Sequence, residues 1–312
     1  MKKFSSVFLL FLFSLLLGFT SVASAKSIFP NPLINAEWLV EHIDEVLILD
    51  TRKDLDSFNK VGHIENAIPV DITKIRMERE IDGKKITRMR PDPKTFETFM
   101  REHGINNDTQ IVITHEGKTP GQVAGAARLY WQMKFYGVES VALLDGGNVA
   151  WVEGLEDLST DSTEFEAGGF TVRAENLDVL ATMQQVKASL KDDSTTLIDT
   201  RGLRYHVGVD KKDYVFAFGH IAGAKVLPYK FFHPIKGSTA YYSADKLKRI
   251  VKDLNIDMDN KLIMFCNSAY ECASDWFVFH EILGKKDVRV YDGSLHQWTQ
   301  YKDNPMSRGL GQ

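Results

Sequence analysis

Short apolar runs alternate along the chain with longer segments of helical period. From Leu47 the order is "LILDTR", "GHIENAIPV", "IVITHEG", a helical stretch containing "AGAARLYWQMKFYG", then "LLDGGNVAW". From Leu197 it is "LIDTR", "GHIAGAKVLP", "LIMFCNS", a helical stretch, then "VYDGSLHQW". Asp50 and Asp199, His63 and His220, and Asp145 and Asp292 stand at a near-constant offset, so the chain carries two copies of one domain. Runs rich in β-branched residues and continuous in apolar character are strands buried on both faces, and helices between them imply a parallel sheet. The expected fold class is therefore α/β, twice: two tandem domains, each a mainly parallel central sheet flanked by helices.

Punctuation sets the boundaries. "EGLEDLSTDSTEFEAGG" is acidic, rich in Ser and Thr, and has no apolar period, which places a linker at residues 154–170 between domains at 26–153 and 171–312. The charged excursion "KIRMEREIDGKKITRMRPDP" reads as a solvated loop and helix edge. At the N-terminus, Lys2 and Lys3 precede "VFLLFLFSLLLGF" and the small residues Ala23, Ser24 and Ala25, the pattern of a secretory leader over residues 1–25. The expectation is a mature protein that is periplasmic or secreted, with no membrane segment after cleavage.

A hydrophobic share of 44%, a charged share of 26% and a net charge of −4 describe a globular chain whose Lys and Arg form no basic stripe, so no nucleic-acid partner is expected. Two cysteines, Cys266 and Cys272, are too few for a disulfide framework in a chain of 312 residues. Nor do two Cys without a nearby His make a closed metal site, and neither metal nor cofactor is expected.

Cys266 carries the candidate chemistry. It follows the apolar run "LIMF" and precedes a segment in which Trp276, Phe277, Phe279 and Ile282 recur at helical spacing. In a parallel α/β sheet that place, beyond the carboxyl end of a strand, is where ligands bind. A loop curling from a strand into a helix aims free backbone N–H groups at its own centre, which lowers a thiol's pKa and holds an anion. The plainer reading of such a residue is a small buried hydrophobe.

The ordered recurrence of Asp-x-Arg, Gly-His-Ile, a strand ending in Cys, a loop and helix, and then Asp-Gly-Gly or Asp-Gly-Ser followed by Trp resembles the rhodanese domain. The doubled chain resembles tandem-domain rhodanese sulfurtransferases of the thiosulfate and 3-mercaptopyruvate type. The resemblance implies that Cys266 becomes a persulfide and that Asn267, Ser268, Ala269, Tyr270 and Glu271 form the loop cradling its sulfur. It places Asp199, Arg201 and Arg204 beside that loop, with Arg204 holding an anionic substrate. It also implies an inactive first copy, where His115 occupies the position of Cys266. His115 reads as a surface loop residue, and His63 and His220, present in both halves, as structural.

The implied partners are a small anionic sulfur donor (thiosulfate, 3-mercaptopyruvate or polysulfide) and a thiol or cyanide-like acceptor, or a protein in that role. The loop departs from both common patterns of the family: it lacks the basic residues of thiosulfate-using members and the Gly-Ser-Gly or Gly-Thr-Gly run of mercaptopyruvate-using ones. Glu271 either faces the thiolate, where at about 5 Å and an effective dielectric near 20 the repulsion is roughly 3 kcal/mol, or turns outward. Cys272 is either a packed apolar residue or a resolving thiol for Cys266. Beside sulfur transfer stand a sulfur, selenium or oxyanion carrier without turnover, and a Cys266/Cys272 redox protein. A cysteine phosphatase needs an arginine closing the loop, where this chain has Glu271, Cys272 and Ala273.

Overall fold

The structure is a computed structural model that describes residues 26–310; the leader expected over residues 1–25 lies outside them. The first half contributes β1 (Leu33–Ile34), β2 (Leu47–Arg52), β3 (Ile68–Asp71), β4 (Met77–Ile81), β5 (Lys84–Met89), β6 (Ile111–His115) and β7 (Val141–Leu144). The second contributes β8 (Leu180–Ala181), β9 (Thr195–Asp199), β10 (His220–Ile221), β11 (Lys225–Val226), β12 (Lys261–Phe265), β13 (Val288–Tyr291) and β14 (Met306–Ser307). Five strands of each half form a parallel sheet, in the order β1-β7-β6-β2-β3 and β8-β13-β12-β9-β11. The two orders are the same topology, as the repeat predicts. The central strand of each sheet is buried along nearly its whole length, and it ends at His115 in one half and just before Cys266 in the other.

The Asp-x-Arg and Gly-His motifs explain each other. Arg52 donates to both carboxylate oxygens of Asp50 at 2.7 Å and to the Gly62 carbonyl at 2.8 Å. Arg201 repeats this with Asp199 at 2.8 and 2.6 Å and with the Gly219 carbonyl at 2.8 Å. Each arginine thus ties the strand end to the turn that opens the next strand. The following histidines are stacked and buried, His63 on Phe58 and His220 on His206, each pair with ring centroids 3.6 Å apart. Their role is structural in both halves.

The helix Pro120–Phe135 is buried almost all round, the signature of an element with protein on every side. One side covers its own sheet and the other packs on the helix Glu271–Phe277 of the second half, where Tyr130 meets Phe277 edge-on at 4.9 Å. Arg128 crosses the same seam to Asp292 at 2.6 Å, and Arg90 reaches the other oxygen of that carboxylate at 3.2 Å. One apolar cluster therefore runs through both sheets. Along the first domain the connecting segment is held at Phe170, which stacks edge-on with Phe96 at 5.9 Å, and at Val179, whose carbonyl accepts from Trp131.

The charged excursion after Lys74 is not the solvated loop and helix edge that its composition suggests. It is a two-stranded antiparallel hairpin, β4 with β5, closed by Asp82 and Gly83 at φ 50° and 70°. Asp-Gly with two left-handed residues is the turn that matches strand twist. The hairpin leans on the second half, where His296 accepts from the Thr87 amide at 3.0 Å and Gln300 donates to the Lys85 carbonyl at 3.0 Å.

Candidate active site

Cys266 leaves the central strand β12 and lies at the floor of a cavity of about 530 Å³ between the two halves. Asn267, Ser268, Tyr270 and Glu271 line it from the second half together with Lys212 and Tyr214; Lys53, Arg76, Arg88 and Glu116 line it from the first. The loop is fixed from below by Ser294, whose hydroxyl accepts from the amides of Cys266 at 3.2 Å and Ala269 at 3.1 Å while donating to the Tyr291 carbonyl at 2.9 Å. Ala269 sits at φ +53° and Ser294 at φ +46°, a region that side chains other than Gly enter only when surrounding bonds impose it. From the first half, Arg128 donates to the Ala269 carbonyl at 3.1 Å.

Tyr270 extends out of the loop into the first half. Its hydroxyl is seated against Gly125, where any Cβ would collide with it, and the Arg76 guanidinium lies 4.9 Å from its ring. A residue larger than Gly at 125 would displace the loop's only aromatic anchor.

This geometry sets the protonation of Cys266. Burial alone would raise its pKa. Against burial, the hydrogen-bonding influence of the Cys272 thiol and of the backbone N–H groups of Cys272, Ser268 and Glu271 lowers it to about 6. A pKa lowered to that value favours the thiolate at neutral pH. Cys272 is correspondingly pushed well up, first by burial and then by the sulfur it serves. Both cysteines are free and buried, and Cys272 packs in the core beside the loop.

Glu271 faces inward. It lines the cavity, and its Oε2 is closed off from solvent without a hydrogen-bond partner. Burial, then the Cys266 charge and Asp199, push its carboxyl up to about 8 against the pull of Arg201 and Lys212. Asp275, one turn further, is fully buried with both oxygens unpartnered, and burial drives its pKa well up.

Three sequence expectations are corrected here. Arg204 is not beside the loop: its side chain is 72% exposed and paired with Asp210 at 2.6 Å on the short helix Leu203–His206, outside the cavity lining. Asp199 and Arg201 are also absent from that lining; they neutralise each other in the buried motif common to both halves and reach the site only through their field on Glu271. His115 is no surface residue. It is buried at the end of β6, its Nδ1 accepts from the Gly117 amide at 3.0 Å, and burial, His233 and Arg52 lower its pKa to about 3, so it stays neutral.

Two cations of the cavity wall come from the hairpin region, Arg76 just before β4 and Arg88 on β5. Arg76 Nε is buried without a partner, and among the described residues neither Arg76, Arg88, Lys53 nor Lys212 is paired with a carboxylate. Arg88 stands at φ +66° with its guanidinium 4.6 Å from the Tyr214 ring. The signal that could have found them is the Asp-Gly turn between two alternating runs, which converts a charge-rich stretch into a hairpin with one face turned inward.

The model of the rhodanese-like domain matches the chain twice, over residues 35–154 and 182–301. A sulfur carrier protein of Thermus thermophilus is 27% identical over 295 residues, covering 90% of this chain and 98% of that protein. The 3-mercaptopyruvate sulfurtransferase of Escherichia coli K12 is 27% identical over 284 residues, covering 88% and 96% respectively. Among solved structures, the anaerobic ergothioneine biosynthesis enzyme of Chlorobium limicola has the same fold, with a TM-score of 0.76 and 22% identity over 90% of this chain and 71% of that one.

Proposed function

The chain belongs to the rhodanese family, and from that premise we propose that it is a sulfurtransferase moving a sulfane sulfur from a small anionic donor to a thiophilic acceptor through a persulfide on Cys266. The observation that carries this reading is the place of Cys266, buried at the end of the central strand on the lining of a cavity whose other wall carries Arg76 and Arg88, with the N–H groups of Ser268, Glu271 and Cys272 lowering its pKa to about 6. The thiolate attacks the donor's outer sulfur, the bond to the leaving group breaks, and the terminal sulfur of the persulfide takes up the space above the loop. The same amides stabilise negative charge on either sulfur. Arg76, Arg88 and Lys212 supply the positive wall that an anionic donor needs.

Mass spectrometry of the loop peptide after exposure to thiosulfate, 3-mercaptopyruvate and polysulfide tests the reading. The expected result is a gain of one sulfur on Cys266 with at least one donor and none in Cys266→Ser; wild-type protein that stays unloaded with all three refutes it.

A carrier role is a second reading, favoured by the Thermus thermophilus relative and by a loop that fits neither common donor pattern. Repeated turnover with a small thiol or cyanide supports the enzyme; a single stoichiometric loading discharged only by a partner protein supports the carrier. Export through residues 1–25 belongs to the same proposal, and N-terminal sequencing of protein from the periplasm or medium tests it by the expected start at Lys26.

A further inference from the structure

Resting on the sulfur-transfer reading, we propose that Glu271 is the general acid of the loading step, giving its proton to the thiolate that leaves when Cys266 takes sulfur from a persulfide donor. Three observations place it there. It closes the short loop that leaves Cys266 and opens the helix behind it, its carboxyl lines the same cavity, and Oε2 is buried without any protein partner. An ionised carboxylate left so would be uncompensated beside a thiolate, whereas a carboxylic acid carries its own donor and needs a passing acceptor. The incoming leaving group is that acceptor.

The charges around Glu271 support a neutral form. Cys266, Asp199 and Asp275 are the acidic groups that face it, and Arg201 and Lys212 the basic ones. Tyr229 and Tyr270 stand near it with their hydroxyls held protonated by burial. The opposite wall carries Lys53, Arg76, Arg88 and Glu116. The outcome inverts the usual order of a thiol and a carboxyl: Cys266 titrates near 6 and Glu271 near 8, so between those values the nucleophile is charged while the acid still holds its proton.

The step balances. With donor R–S–SH, the Cys266 thiolate forms a bond to the terminal sulfur, the S–S bond of the donor breaks, and the electron pair departs on R–S. The Glu271 proton goes to that sulfur, so the products are Cys266–S–SH, R–SH and the Glu271 carboxylate. Solvent then reprotonates Glu271 through the open mouth of the cavity, where the residue is partly exposed. A basic alkyl thiolate gains most from the proton, because leaving-group ability falls as thiol pKa rises. Sulfite departs from thiosulfate as a weakly basic anion and gains least. The site is thereby suited to persulfides of low-molecular-weight thiols.

The test is single-turnover loading of Cys266 by glutathione persulfide and by the persulfide of an acidic aromatic thiol, in wild type and Glu271→Gln, between pH 5 and pH 10. The same donors in both proteins cancel donor ionisation, and a gain of one sulfur on Cys266 is read by mass. Wild type is expected to load on a bell-shaped profile with limbs near 6 and 8. Glu271→Gln should load on the order of 10²-fold more slowly from glutathione persulfide at pH 7, lose the alkaline limb, and depend more steeply on leaving-group basicity. A variant that keeps the wild-type rate or the alkaline limb overturns the role of Glu271 while leaving sulfur transfer intact. Absence of the mass gain in both proteins overturns sulfur transfer and this role together. Should Glu271→Gln fail to fold, the wild-type profiles with the two donors decide: donor ionisation moves its limb with the donor, so the absence of a limb near 8 shared by both, or a steep leaving-group dependence, rejects the acid.

Discussion

Ser294 and Glu271 are the two side chains on which the reactive loop depends most. Replacing Ser294 by Ala leaves the amides of Cys266 and Ala269 without their acceptor in a buried place, and each unsatisfied group costs about 1–3 kcal/mol. Chemical denaturation should read that loss, and thiol titration by an alkylating reagent should show Cys266 moved up from about 6, since the amide ring loses its shape. Glu271 carries a linkage consequence. Its carboxyl ordinarily titrates at 4.5 and here at about 8, so between those values the folded protein holds a proton that the unfolded chain has released. Folding stability attributable to Glu271 therefore falls as pH rises through that window. Glu271→Gln should melt at a higher temperature than wild type, with the margin growing from pH 5 to pH 8 and level above it. A margin that is constant with pH would show that the inward carboxyl keeps an ordinary pKa.

At the scale of elements, the hairpin of β4 and β5 with the residues just before it supplies the arginines that the second half lacks. Hydrogen bonds to charged groups are worth about 1.5–3 kcal/mol, so Arg76→Ala and Arg88→Ala should each raise KM for an anionic donor roughly tenfold or more. Steady-state kinetics at two salt concentrations would check this, the wild-type KM rising with salt more steeply than either variant's. Both sheets, the repeat and the place of Cys266 at the end of a central strand were legible in the sequence because they rest on local patterns: apolar runs, a strand-to-helix turn, motifs in fixed order. Arg204 was misplaced because a short helix such as Leu203–His206 gives no periodicity from which to tell its outward face. Arg76 and Arg88 were missed because a charged stretch looks solvated until its partner is known, and that partner lies some two hundred residues further along. His115 reads as a surface residue because nothing local marks a polar side chain as sealed by Gly117 and Gly147.

For the molecule as a whole, the seam between the helices Pro120–Phe135 and Glu271–Phe277 makes two domains one cooperative body. Arg128 is fully buried and serves both Asp292 and the Ala269 carbonyl. Arg128→Ala should cost about 3–5 kcal/mol, the penalty for stripping one member from a buried ion pair, and Gly125→Ala about 1–3 kcal/mol by overpacking against Tyr270. Both should slow sulfur loading of Cys266 although neither residue touches the thiol. Calorimetry that resolved two independent transitions in wild type would contradict a shared core.

On the proposed reading the first half carries no nucleophile and would ordinarily be free to decay. Yet it is the mould in which the loop of the second half is cast: it carries the notch at Gly125 for Tyr270 and the arginine that grips the loop's backbone. Mutations that erode it would be felt as lost chemistry in its sibling, so the two halves are bound to drift together or not at all.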